Sequence, residues 1–112
     1  MRDNFAYIHH ILDSIETIET YTANMDYDKF FDTRLVQDGV IRQIEIMGEA
    51  VKNIDPEFKD EHPGIQWKKI AGMRDKLIHH YFGVNIKKVW RTVEKDLPRL
   101  KEKIEMILKE EA

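Results

Sequence analysis

Val36-Gln37-Asp38-Gly39-Val40-Ile41-Arg42-Gln43-Ile44-Glu45-Ile46-Met47-Gly48-Glu49-Ala50-Val51-Lys52-Asn53-Ile54 decides the fold class. Val36, Val40, Ile44, Met47, Val51 and Ile54 recur at steps of three or four, the spacing that gathers side chains on one face of a helix. Ile41 and Ile46 widen that stripe and can serve an interface as easily as the core. No segment of the chain alternates apolar and polar residues with period two for long enough to make a sheet.

The same spacing extends in both directions. Upstream, Phe5, Ile8, Leu12, Ile15 and Ile18 mark a helix from about residue 3 to 22. Asp26 can cap a short turn over residues 27–31. Downstream, Asp55-Pro56 reads as an N-cap followed by proline at the first helical position, and the turn it starts should end before Pro63-Gly64. Ile65-Gln66-Trp67 opens a third helix that runs to Phe82 and stops at Gly83. Asn85 can cap a short helix over residues 86–94, and Asp96 and Pro98 restart the chain as a final helix with Leu97, Leu100, Ile104, Ile107 and Leu108 inward. The expectation is an all-α, antiparallel four-helix bundle core with one or two short accessory helices, forming a single domain over residues 1–112.

Composition narrows the function classes. Hydrophobic residues make up 42% and charged residues 35% of the 112, which suits amphipathic helices with well-solvated outer faces. With no cysteine, disulfides and thiolate metal sites are excluded. No apolar run reaches the 18 or so residues of a membrane span, and Met1-Arg2-Asp3-Asn4 lacks the layout of a secretion signal, so a soluble cytosolic protein is expected. The net charge of −3 conceals an asymmetry: residues 1–64 hold 6 Lys+Arg against 14 Asp+Glu, whereas residues 65–112 hold 12 against 7. The basic half can attract a polyanion, or the halves can simply attract each other.

Within the basic half, Arg74-Asp75-Lys76-Leu77-Ile78-His79-His80-Tyr81 concentrates a permanent cation, two imidazoles and a phenol. Arg74 presents a planar fork of donors suited to phosphate oxygens. A histidine titrates near neutrality, so His79 can take a proton from a ribose hydroxyl or give one to a leaving oxygen. Asp75 stands four residues before His79, where it can orient the imidazole. Tyr81 can donate a hydrogen bond, stack on a base or offer its hydroxyl for modification. His80, four residues after Lys76, reads as a rim residue, and Leu77, Ile78 and Phe82 as core. Spacing alone also allows an ordinary surface network here.

Helix geometry sets a puzzle in this stretch. Arg74 and Tyr81 return to one face, but Arg74 and His79 are about 140° apart around an ideal helix. The reach of the arginine, a distortion near Gly72, or a second copy of the motif across a two-fold axis can each reconcile them. His9-His10 reads as surface histidine and His62 as part of a turn, while Trp67 and Trp90 read as packing anchors. No histidine pair at i, i+4 joins a carboxylate in a metal-site pattern, so neither a metal nor another cofactor is expected.

Gly72-Met73-Arg74-Asp75-Lys76-Leu77-Ile78-His79-His80-Tyr81 resembles the signature of the HEPN superfamily, and more narrowly that of its HepT-like toxin branch. Gly48-Glu49-Ala50, Ile65-Gln66-Trp67, Ile70-Ala71-Gly72-Met73, Val84, Val89-Trp90 and Leu97-Pro98-Arg99-Leu100 are similar to the flanks of that branch, so the resemblance covers nearly the whole chain. Gln66 stands where proline is common, and His80 adds an imidazole beside the motif histidine. The resemblance implies a homodimeric, metal-independent endoribonuclease toxin acting on RNA and paired with an MNT-type nucleotidyltransferase antitoxin. It implies that Arg74 stabilises the phosphate, that His79 is the general acid–base with Asp75 and His80 in support, and that Tyr81 receives AMP from the antitoxin. A non-catalytic dimer that binds a nucleotidyltransferase or a nucleotide is the alternative reading.

Overall fold

The structure is a computed structural model that describes residues 3–79 and 84–111, and all of their side chains except those of Ile78 and His79. The expected helix ends at Phe82 and Gly83 therefore lie outside the described residues. Four long helical segments carry the architecture: α1 (Asn4–Tyr21), α3 (Arg34–Asn53), α5 (Trp67–His79) and α7 (Leu97–Glu111). Short helices α2 (Tyr27–Asp32), α4 (Pro56–Glu61) and α6 (Ile86–Arg91) fill the connections, and no strand occurs among the described residues.

Contacts along the helices fix an antiparallel bundle. The ring of Tyr21 at the end of α1 lies beside Gly39 near the start of α3, while Asn4 at the start of α1 bonds Asp55 just past the end of α3. Likewise, His9 meets Glu111, and Glu19 meets Lys101, at opposite ends of α1 and α7. Lys103 donates to the Gly64 carbonyl before α5, and Lys69 within α5 pairs with Asp96 before α7. Each long helix thus runs opposite to its neighbour in sequence, and α7 closes back on α1.

The core follows the spacing of the apolar residues. Ile8, Ile11, Ile15 and Ile18 of α1, Val40 and Met47 of α3, and Ile104 of α7 are fully buried. Burying each such side chain contributes about 1.5–3 kcal/mol before entropy is counted. On α1 it is Ile11 that lies at the centre, whereas Leu12 is only half-buried. Trp67 anchors as expected: it is buried, and its Nε1 donates to the carbonyls of Lys59 (3.2 Å) and His62 (3.0 Å), closing the α4–α5 turn. Trp90 stacks at 5.0 Å between centroids against the buried Phe30. Gln37, a buried polar residue within α3, donates to the carbonyls of Phe30 and Phe31 and ties α2 to α3.

One expectation about helix ends is corrected. Asp26 and Asn85 cap their helices through side-chain oxygens, and Asp55 stands at the N-cap of α4 with Pro56 after it as expected, although its side chain makes no cap bond. Its carboxylate accepts from Asn4 instead, leaving Pro56 at the start of α4 with no N–H to cap. The chain does not break before Pro98. Residues 86–111 form one helical run that widens into a π turn at Thr92–Asp96, with the Leu97 N–H donating to the Thr92 carbonyl. Proline has no N–H for the carbonyl four residues back and its ring crowds that oxygen; one wide turn relieves both problems without stopping the helix.

Candidate active site

α3 and α5 approach most closely where Gly48 faces Arg74. Gly48 is buried, and a Cβ added to it would stand 2.2 Å from Arg74 Cβ and 3.2 Å from the Ile70 carbonyl oxygen. Only a residue without a side chain lets the two backbones lie this close. The approach fixes the base of the Arg74 side chain and directs its head along α3. Arg74 Nη2 lies 3.2 Å from Glu49 Oε2, and Nη1 lies 3.3 Å from Asp75 Oδ1. Asp75 Oδ1 also accepts from Lys52 Nζ.

Lys52, Asp75, Arg74 and Glu49 therefore form a row in which cations and carboxylates alternate. The hydrogen bond from Lys52 is the main reason the Asp75 carboxyl titrates below its ordinary value of 3.8; the charges of Lys52 and Arg74 add to it, against the opposing effect of desolvation. Arg74 is 29% exposed, so it is held but still reachable. A guanidinium has five N–H donors, and those the carboxylates leave unused can receive phosphate oxygens.

An open cleft of about 250 Å³ lies beside Arg74 between α1 and α3. Tyr7 and His10 form its α1 wall; Arg42, Glu45 and Glu49 line the α3 side. The Tyr7 and His10 rings meet edge to face, 5.9 Å between centroids at 89°. Elsewhere, His62 joins α4 to the end of α7. Its Nδ1 is 2.9 Å from the Phe58 carbonyl and its Nε2 3.0 Å from Glu110 Oε2. Burial opposes protonation of this imidazole, but the Phe58 and Glu110 hydrogen bonds and the charges of Glu110 and Glu61 outweigh it and raise its pKa.

The structure brings some of the sequence-derived site residues together. Arg74 and Asp75 are adjacent and directly bonded. Asp75 points its carboxylate at Lys52 and Arg74. His79 is the last described residue of α5, and its side chain, together with His80 and Tyr81, lies outside what the structure describes. α5 passes through Gly72 as unbroken α-helix, so no distortion there brings His79 round to Arg74. Lys52, Tyr7, His10, Arg42 and Glu45 were not singled out as site residues by the sequence reading. The signal that could have found the α3 members is Gly48, a poor helix former on the buried face of an otherwise strong helix, which marks a close crossing. Among the described residues no three histidines or carboxylates stand together as a metal site would need.

A family model for HepT-like ribonucleases ("Ribonuclease HepT-like") matches residues 11–107, a span that contains Gly48, Glu49, Lys52, Arg74 and the motif histidine. The chain belongs to the HepT-like ribonuclease family. Relatives agree along nearly its full length. A Thermococcus cleftensis protein named "Probable ribonuclease HepT" is 45% identical over 96% of this chain and 98% of its own. A protein of Methanocaldococcus jannaschii named "Gamma-glutamylcyclotransferase and putative RNase" is 50% identical over 97% of this chain, which spans 49% of that longer protein. A second M. jannaschii relative, named a "Putative RNase", is 40% identical over 97% of this chain and 90% of its own. No solved structure matches the chain. For a HepT-like chain, the Gly48 crossing gives the motif arginine a physical setting: the helix before the motif histidine is clamped against α3, and its guanidinium is held by carboxylates from both helices. No helix among the described residues is long and apolar enough to cross a membrane.

Proposed function

We propose that this HepT-like chain is a metal-independent endoribonuclease of the cytosol, the toxin of a toxin–antitoxin pair, cutting RNA by attack of a ribose 2′-hydroxyl on the adjacent phosphorus. The observation that carries this reading is the clamped, partly exposed guanidinium of Arg74 on the same helix as His79. His79 takes the 2′-hydroxyl proton as the new O–P bond forms. Arg74 stabilises the charge that builds on the non-bridging oxygens, and the bond to the 5′-oxygen breaks as that oxygen gains a proton. The products are a 2′,3′-cyclic phosphate and a free 5′-hydroxyl. Asp75 acts on this site by holding Arg74, and His80 supports His79.

The helix offset of about 140° between Arg74 and His79 favours a homodimer in which one copy's arginine works with its mate's histidine. An MNT-type nucleotidyltransferase antitoxin would silence the site by moving AMP from ATP to the Tyr81 hydroxyl with release of pyrophosphate, placing bulk and charge where RNA must pass. In this reading residues 1–112 are a single domain, two copies of which build the active cleft. The test is cleavage of single-stranded RNA by the purified protein and by its Arg74→Ala and His79→Ala variants in excess chelator. Wild-type cleavage lost in both variants supports the reading. The binding-only dimer is favoured by one observation, that Glu49 and Asp75 already engage Arg74; it requires that the wild type bind a nucleotidyltransferase or a nucleotide and cut nothing.

A further inference from the structure

We propose that the cleft beside Arg74 is a base-reading subsite for single-stranded RNA, with Tyr7 and His10 as its stacking wall and Glu45 as an acceptor that selects bases carrying an exocyclic amine. The inference rests on the ribonuclease reading of Arg74 and extends it to the nucleotide next to the cut.

The lining favours a base over a phosphate. Tyr7 and His10 present an aromatic corner, and such surfaces take unstacked bases of single-stranded RNA by stacking. Two carboxylates line the same space and repel a phosphate placed against them, which leaves phosphates to the two arginines of the cleft. Glu49 is committed to Arg74. Glu45 is half-buried in the cleft and has no hydrogen-bond or ion-pair partner among the described residues. A carboxylate accepts hydrogen bonds and cannot donate, so it suits the N4 amine of cytosine and opposes the O4 carbonyl of uracil.

Charge at the rim fits a strand passing through. Arg42 is exposed, lines the cleft from α3 and forms no ion pair among the described residues. Arg42 and Arg74 thus offer two phosphate-binding heads on one cleft, with the aromatic corner and Glu45 beside them. A strand whose scissile phosphate meets Arg74 can lay its neighbouring base against Tyr7 and His10 and its next phosphate on Arg42.

Fluorescence anisotropy with 2′-fluoro decamers of cytidine and of uridine, which cannot be cut by 2′-hydroxyl attack, tests this at one fixed salt concentration. The cytidine decamer should bind at least about fivefold more tightly than the uridine decamer, and Glu45→Gln should bring the ratio close to one. Tyr7→Leu should weaken both by about tenfold, as should His10→Ala, which changes only an exposed residue and keeps the test valid if Tyr7→Leu unfolds. Equal affinity of the wild type for the two decamers overturns the proposal. So does a ratio unchanged in Glu45→Gln, or His10→Ala binding like wild type. The parent reading is judged separately by cleavage of ordinary RNA. Decamer discrimination without cleavage keeps the subsite and removes the nuclease; cleavage without discrimination does the reverse.

Discussion

Replacing Gly48 by alanine perturbs the crossing that positions Arg74, and the structure sets the size of the effect. In an unobstructed helix interior, alanine is better than glycine by roughly 0.5–1 kcal/mol. At Gly48 the new methyl group would stand 2.2 Å from Arg74 Cβ. Carbon atoms make favourable contact at about 3.5–4.0 Å, so α5 must move away from α3 locally by more than about 1 Å. The obstructing atom is next to the backbone, and no side-chain rotation removes it. Overpacking of this kind costs about 1–3 kcal/mol, which exceeds the propensity gain. Gly72 on α5 is the internal control, because an added Cβ there meets nothing within 4 Å. Gly48→Ala should therefore lower the unfolding free energy by about 1–2 kcal/mol and Gly72→Ala should raise it by about 0.5–1 kcal/mol, both read as shifts of the urea midpoint with an unchanged m-value. Displacing Arg74 by this distance should also reduce kcat for RNA about a hundredfold. If Gly48→Ala matched Gly72→Ala in stability and cut RNA at the wild-type rate, the reasoning about the crossing would be refuted.

Arg74→Ala should lower kcat by about 10²–10³-fold, and Arg74→Lys should recover little, because lysine cannot supply a planar fork; steady-state kinetics at saturating RNA read both. The Asp75 carboxyl is more acidic when folded, so its pairing stabilises the fold above its ordinary value of 3.8, and this contribution is lost as pH falls through the lower folded pKa. Wild type should be the more stable of wild type and Asp75→Asn near neutrality, with the gap closing in acid-unfolding titrations only below that value. His62 has the opposite sign: with a raised folded pKa, its bond to Glu110 contributes fully below its ordinary value of 6.5 and fades as pH rises through the folded pKa. Thermal melts of wild type and His62→Gln should therefore differ most in mildly acidic buffer and converge in alkaline buffer. Incubation with the cognate nucleotidyltransferase and ATP should add one adenylate to the intact mass, absent in Tyr81→Phe; an adduct that persists in that variant contradicts the assignment to Tyr81.

The bundle was legible because helical spacing is set by the chain's own geometry. Val40, Ile44, Met47 and Val51 reach the core where their periodicity puts them. Ile11 was harder to read, since it and Leu12 both stand at helical spacing from Ile8 and Ile15, and the choice depends on how far α1 is rotated against α3 and α7. Pro98 signals a break locally, and the packing of Leu97 and Ile104 in the core holds the run together through a π turn instead. Around the site, Arg74 was legible as a candidate cation, whereas its partner Glu49 and the bond of Lys52 to Asp75 were not. Those contacts come from residues more than twenty positions away, and only the crossing at Gly48 brings them within reach. The Tyr7–His10 contact is local, an i, i+3 pair on α1, but its place beside Arg74 depends on how α1 packs against α3 and α5.

The central claim is that Arg74 and His79 cut RNA through a 2′-hydroxyl attack. The most direct measurement is mass-spectrometric analysis of fragment ends after single-stranded RNA is incubated with wild type and with His79→Ala in excess chelator. The account predicts 2′,3′-cyclic phosphate and 5′-hydroxyl ends from the wild type and intact RNA from His79→Ala. Fragments bearing 5′-phosphates, or wild-type cleavage by His79→Ala, would contradict it.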